Sequence, residues 1–217
     1  MIKVLPSSNP EKEDNLLNYA RELDGLGVEY LHCDVMDGQF VENKCLSFDV
    51  LKNVRDNCNI LLDVHLMVKD VFANVQEYIT LKPNFITVHY EALKNVSELK
   101  KLSTYVRSKD VLFGVSIKPN TSVSVLANVK EYIDLVLIMS VEPGKSGQSF
   151  IVDSLGKIKD AKALFEGTLT KIEVDGGINL DNYSDVVESG AEFLVMGNAF
   201  YKSTDRKKLL KKIDKHY

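Results

Sequence analysis

Five polar residues sit inside runs that otherwise read as buried strands, and their types define the available chemistry. The segment "LHCDVMDGQF" at 31–40 carries His32 and Asp34, "LLDVHLM" carries Asp63 and His65, and "KIEVD" ends in Asp175. Burying ionised carboxylates costs several kcal/mol unless something compensates them. Two imidazoles and two carboxylates converging on one point make a mixed nitrogen and oxygen site for a divalent metal, and zinc, manganese and ferrous iron all suit it. Such an ion would compensate the buried charge. Residues two apart on a strand share a face, so His32 and Asp34 point one way and Cys33 the other, as a small buried hydrophobe. His89, at the end of "ITVH", and Asp63 read as supporting or polar-core groups rather than ligands.

The elements that must position these residues follow from the apolar pattern. Short β-rich runs fall at 2–5, 30–34, 60–66, 85–89, 112–117, 135–139, 171–175 and 193–196. Amphipathic helical stretches fall at 15–26, 48–57, 71–81, 96–108, 123–131, 152–165, 183–189 and 206–216. Strands alternating with helices imply right-handed parallel crossovers. Eight units in 217 residues match one α/β domain over 1–217, a (β/α)8 TIM barrel. A doubly wound open sheet is the alternative, but no G-x-G-x-x-G follows the first strand. In a barrel the C-terminal strand ends form the active face, so His32, Asp34, His65 and Asp175 belong to one layer of one mouth.

A second constellation lies late in the chain. The sixth run leads into "SVEPGKSGQSF", the seventh into "DGGIN" and the eighth into "GNAF". Barrels bind phosphate at such loops through backbone N–H groups, and glycine lets the backbone approach the anion closely. Gly144, Gly147, Gly176, Gly177 and Gly197 are placed for this, and Lys145 either adds charge or is solvated. Metal on one side and phosphate on the other imply a sugar phosphate with a carbonyl next to a hydroxyl, deprotonated to an enediolate.

Composition excludes other classes. The chain carries 27 Lys+Arg against 31 Asp+Glu, which argues against a nucleic-acid surface. No run reaches the length of a membrane span, and the start has no apolar signal region. Three cysteines, Cys33, Cys45 and Cys58, form no C-x-x-C and suggest a reducing cytoplasm. The end, "RKKLLKKIDKHY", reads as a solvated helix whose cations suit its C-terminus.

The segments "LHCDVMDGQFVEN", "DVHLMV", "ITVHYEA", "GVSIKPNT", "VLIMSVEPGKSGQSFI" and "IEVDGGIN" resemble, in order, the signatures of the ribulose-phosphate 3-epimerase family. The resemblance covers nearly the whole chain. It implies a barrel of the ribulose-phosphate binding type and the interconversion of D-ribulose 5-phosphate and D-xylulose 5-phosphate in the pentose phosphate pathway. It implies one divalent ion per chain (zinc, Fe(II), manganese or cobalt) on His32, Asp34, His65 and Asp175, with Asp34 and Asp175 as the acid/base pair. Substrate contacts carry over to Ser7, His65, Asp175, Met36, Met67 and Met139, and phosphate contacts to Gly144, Lys145, Ser146, Gly147, Gly176, Gly177, Gly197 and Asn198. The expected partner is a small sugar phosphate, with no nucleic acid and no membrane; a homo-oligomer stays open. The chain departs from the family pattern at Ser8-Asn9-Pro10, at Glu42 in place of proline, at Lys145-Ser146 in place of an aromatic and a glycine, and at Asn198 in place of serine. An epimerase of a related ketose phosphate such as allulose 6-phosphate, another phosphosugar lyase on this barrel, and a non-catalytic phosphosugar- or metal-binding protein are the competing readings.

Overall fold

The computed structural model describes residues 2–214. Eight parallel strands form the sheet: β1 Lys3–Pro6, β2 Tyr30–Asp37, β4 Leu61–Met67, β5 Phe85–His89, β6 Leu112–Ile117, β7 Leu135–Met139, β8 Lys171–Asp175 and β9 Phe193–Met196. The two-residue β3, Lys44–Cys45, adds an antiparallel edge to the end of β2. The hydrogen-bonded order β1-β9-β8-β7-β6-β5-β4-β2 curls until its two ends meet. Ser7 and His32 form a parallel bridge there, and Ser8 N donates to His32 O at 2.8 Å. Asp34 N then donates to Ser8 Oγ at 3.2 Å, so a serine hydroxyl extends the seam where the first strand has already turned away. The result is the expected (β/α)8 TIM barrel.

The outer helices are α1 Leu16–Gly25, α2 Phe48–Asn57, α3 Val71–Tyr78, α4 Val96–Arg107, α5 Ser154–Leu164, α6 Tyr183–Glu188, the short α7 Asn198–Tyr201, and α8 Arg206–Asp214. Local chemistry starts several of them; Asn95 Oδ1, for example, accepts from Glu98 N at 3.0 Å ahead of α4. The α-helix expected at 123–131 is instead a 3-10 helix, Val123–Tyr132. Its buried residues, Val123, Leu126 and Val129, recur every third position, which is the repeat of the tighter helix. α8 buries Leu209 and Ile213, one turn apart; the predicted continuation to 216 lies outside the described residues. Among the described residues no helix is long and apolar enough to cross a membrane.

Strand alternation divides the apolar residues between two layers. Leu31, Cys33 and Val35 of β2 and Leu62, Val64 and Leu66 of β4 face the helices and are buried there. Leu5, Phe85, Leu137, Phe193 and Val195 fill the barrel interior. Tyr30, Phe85 and Phe193 form the floor, with ring centroids 5.6–6.0 Å apart. The polar residues Asp34, His65, His89 and Asp175 lie toward the C-terminal ends of their strands.

Candidate active site

The register of β2 against β4 pairs His32 with Asp63 and Asp34 with His65, all four pointing inward. His32 Nε2 lies 3.2 Å from Asp34 Oδ1, and His65 Nδ1 lies 3.1 Å from the same oxygen. Asp175, at the end of β8, brings Oδ2 to 4.0 Å from His32 Nε2. Donor atoms of His32, Asp34, His65 and Asp175 thus all lie within 4.8 Å of one another. Ligands held about 2 Å from a common divalent ion are themselves about 3–4 Å apart, so this N2O2 set, buried except for the partly exposed Asp175, fits a metal of the zinc, iron or manganese type.

Around these four lies a polar layer. His32 Nδ1 lies 2.6 Å from Asp63 Oδ2 and 3.4 Å from Glu173 Oε1. This fixes the ring with Nε2 turned toward the other three donors. On the opposite flank His65 Nε2 lies 2.9 Å from His89 Nε2. Ser7 Oγ–H donates to Asp34 Oδ2 at 2.8 Å while accepting from Asn9 N at 3.0 Å. The unusual Ser8-Asn9-Pro10 segment therefore still sets Ser7 against Asp34.

The two inward aspartates are driven in opposite directions. Burial alone would raise Asp34, but contact with His32 and His65 outweighs it and holds the carboxyl well below the usual range. Asp175 is pushed up to about 7 by burial and by the neighbouring Asp34 charge. His32 is raised despite burial, because Asp34 and Asp63 stabilise its cation. Glu173 is raised strongly by burial and by Asp63, which makes it a neutral acid beneath the site.

A cavity of about 310 Å³ opens above these groups. Ser7, Asp34, Asp175 and the nearly buried Met36, Met67 and Met139 line one part. Gly144, Lys145, Ser146, Gly147, Gly176, Gly177, Gly197 and Asn198 line the other. His32 and His65 lie deeper, with no exposed surface. Gly177 has φ +68°, and a Cβ there would come within 2.4 Å of Phe150 N. Only glycine allows β8 to turn this tightly against the preceding loop. Ser140 Oγ, 2.7 Å from Gly176 O, supports the same turn. Asn43 Nδ2 donates to Gly144 O at 2.6 Å and ties the loop after β2 to the loop after β7. The exposed Lys145 pairs with the exposed Glu42 across this junction at 3.3 Å, so two of the departures from the family pattern meet each other.

Glu173, Ser8, Asn43 and Glu91 are the polar residues that sequence reading passed over. Glu173 had a signal, since it stands two residues before Asp175 on the same strand face. Glu91 likewise stands two residues after His89, which it meets; Ser8 and Asn43 act through contacts distant in sequence and had no signal.

Two carboxyls facing one cavity at a barrel mouth, one held low and the other pushed up to about 7, suit an enzyme that moves a proton. Comparison with known proteins agrees. The model of the Ribulose-phosphate 3 epimerase family matches residues 3–201. A ribulose-phosphate 3-epimerase of Bacillus subtilis (strain 168) is 36% identical over 216 residues, covering 98% of this chain and 98% of that protein. The chloroplastic ribulose-5-phosphate-3-epimerase of Arabidopsis thaliana is also 36% identical, over 98% of this chain and 76% of that protein. Among solved structures, a 3-hexulose-6-phosphate synthase superposes with a TM-score of 0.69 at 16% identity, covering 98% of this chain and 95% of the other, which speaks to the shared barrel fold. The chain belongs to the ribulose-phosphate 3-epimerase family and is an enzyme of the epimerase class of isomerases.

Proposed function

We propose that this protein interconverts D-ribulose 5-phosphate and D-xylulose 5-phosphate by proton transfer at carbon-3, within the pentose phosphate pathway. The observation that carries the reading is the placement of two carboxyls, Asp34 on β2 and Asp175 on β8, against one cavity, with Asp34 held low by its histidine contacts and Asp175 pushed up to about 7. They stand on β2 and β8, separated by two strands on one side and four on the other. Asp34, ionised and oriented by Ser7, takes the carbon-3 proton of ribulose 5-phosphate, and the electron pair moves toward the carbon-2 carbonyl to give an enediolate. Asp175, protonated, returns a proton to the opposite face of carbon-3. In the reverse direction the two exchange roles, as microscopic reversibility requires. His32, Asp34, His65 and Asp175 would hold the divalent ion, for which zinc, Fe(II), manganese and cobalt are the candidates. Such an ion supplies positive charge beside the substrate oxygens. Met36, Met67 and Met139 offer an apolar wall that keeps bulk water from the reacting carbon. The glycine turns at 144–147, 176–177 and 197–198 present backbone N–H groups to the phosphate. Three unpaired cysteines support a cytoplasmic setting.

The test is direct. Purified protein is mixed with ribulose 5-phosphate, and in parallel with allulose 6-phosphate, and the products are followed by proton NMR. Formation of xylulose 5-phosphate, stopped by chelation and restored by a divalent ion, is the expected outcome. Turnover of the six-carbon ketose alone would reassign the substrate, and no turnover of either would remove the catalytic reading.

A further inference from the structure

Beyond the four grouped donors, a line of polar atoms runs from the site out to the loop after β6. Asp34 Oδ1 lies 3.1 Å from His65 Nδ1, His65 Nε2 lies 2.9 Å from His89 Nε2, and His89 Nδ1 lies 3.3 Å from Glu91 Oε2. The other carboxylate oxygen of Glu91 accepts from Lys118 N at 2.7 Å and from Thr121 Oγ1. Glu91 is therefore anchored by backbone and side chain of the next loop. His89 is also packed against Phe40, with ring centroids 4.8 Å apart and planes tilted by 40°, and Lys118 Nζ lies 4.3 Å from the Phe40 centroid.

The line has three gaps, and two imidazoles with one N–H each supply two protons. One gap must lack a proton. If the His89–Glu91 gap lacks it, an imidazole lone pair faces an anchored carboxylate. If the His65–His89 gap lacks it, two lone pairs face each other at 2.9 Å. Both arrangements are repulsive in a buried setting. A bare Nδ1 on His65 would repel Asp34 Oδ1 in the same way, but that gap alone of the three belongs to the cluster of four donors, where a divalent ion would lie between the two lone pairs. The remaining arrangement puts a proton on His89 Nδ1 toward Glu91 and a proton on His65 Nε2 toward His89. The bare position is then His65 Nδ1, facing Asp34, where a cation rather than a proton belongs.

We propose that His89 and Glu91 are positioning residues that hold His65 in its Nε2–H form with the Nδ1 lone pair turned to the metal position. This rests on the metal reading given above and extends it by naming what prepares one ligand and which loop anchors the device. His32 is prepared independently, through Asp63, so the two imidazoles are oriented from opposite flanks. Groups that orient a ligating histidine typically contribute 10–100-fold in metal affinity.

The experiment uses the zinc-loaded protein labelled with nitrogen-15. Long-range proton–nitrogen spectra read the tautomer of each ring, and competition with a chromophoric chelator reads zinc affinity. In the wild type His65 should carry its proton on Nε2 and His89 on Nδ1; the reverse on either ring overturns the proposal. Glu91→Ala should shift the His89 proton toward Nε2 and weaken zinc about 10–100-fold. His89→Phe should weaken zinc similarly, while His89→Gln, which keeps an acceptor for His65 Nε2–H, should stay within a few-fold of wild type. Wild-type affinity in both Glu91→Ala and His89→Phe overturns the proposal while leaving the metal site standing. A wild-type protein that takes up no zinc overturns the metal reading and this one with it. Should His89→Phe fail to fold, the partly exposed Glu91 decides through its own variant.

Discussion

His32 Nδ1 and Asp63 Oδ2 lie 2.6 Å apart with both side chains fully buried, in the layer just under the cavity. Asp63 touches no part of the cavity, yet it determines which nitrogen of His32 faces the other donors. Asp63→Ala should destabilise the protein by about 3–5 kcal/mol, the usual cost of removing one member of a buried pair. Urea unfolding measures this. Zinc affinity should fall in the same variant, because the His32 ring loses its orienting partner. Unchanged stability and unchanged zinc binding would show that Glu173, 3.4 Å from the same nitrogen, suffices alone.

The two aspartates should separate kinetically. Asp175→Asn keeps size and an oxygen ligand but cannot deliver a proton. It should still exchange the carbon-3 proton of ribulose 5-phosphate with deuterated solvent while failing to invert the centre. Asp34→Asn should lose both. Losses of about 10²–10⁴-fold are expected for such groups, and metal content must be matched across variants. Near-wild-type epimerisation by either variant would sink the two-carboxylate mechanism.

Asp175 should also leave a mark on stability. In metal-free protein its folded value is about 7 against 3.8 for the free side chain. Between these values the unfolded chain has released a proton that the folded chain still holds, so stability falls as pH rises through the window. Below 3.8 both states are protonated and the effect vanishes. Metal-free Asp175→Asn should therefore gain on the wild type as pH climbs from about 4 to about 7. Melting temperatures of the pair across this range test it, and a constant difference would place Asp175 outside the buried charge network.

Gly177→Ala puts a Cβ at φ +68° and within 2.4 Å of Phe150 N. Left-handed backbone alone costs about 1–2 kcal/mol for a residue with a Cβ. The turn should open, and KM for the sugar phosphate should rise about tenfold or more, since each 1.4 kcal/mol is tenfold in affinity. Zinc content should not change. An unchanged KM would remove this turn from the phosphate site.

Cys33 lies between two site residues in sequence but faces the helices, with Sγ 3.4 Å from Leu31 O. Cys33→Ser should leave metal content at the wild-type level. Stability should fall by about 1–3 kcal/mol as a hydroxyl enters an apolar layer. Elemental analysis and denaturant unfolding read the two effects separately; loss of metal from a folded variant would contradict the strand phase.

The strand phase was legible because a period of two leaves no freedom: once His32 is inside, Cys33 is outside and Asp34 inside. The glycine loops were legible because three successive strand ends carried them. What was not legible depended on the closed ring. Nothing near Ser8 in sequence indicates that its hydroxyl meets the backbone of Asp34, since the two meet only when the first strand joins the second. The meeting of Glu42 with Lys145 is likewise a product of loops brought together by the curl of the sheet. The 3-10 segment at Val123–Tyr132 was legible in its spacing of three, but its apolar face was read with a period of 3.6.

The aromatic floor of Tyr30, Phe85 and Phe193 has a consequence for flux. A vessel stoppered at one end has a single doorway, so a molecule that enters must leave against incoming traffic. Reactant and converted sugar then exclude each other rather than passing in file, and an accumulating product competes directly with the supply. The direction of net flow is still set by how the ratio outside compares with the equilibrium constant; what the single doorway adds is that each molecule leaving holds the place of one waiting to enter.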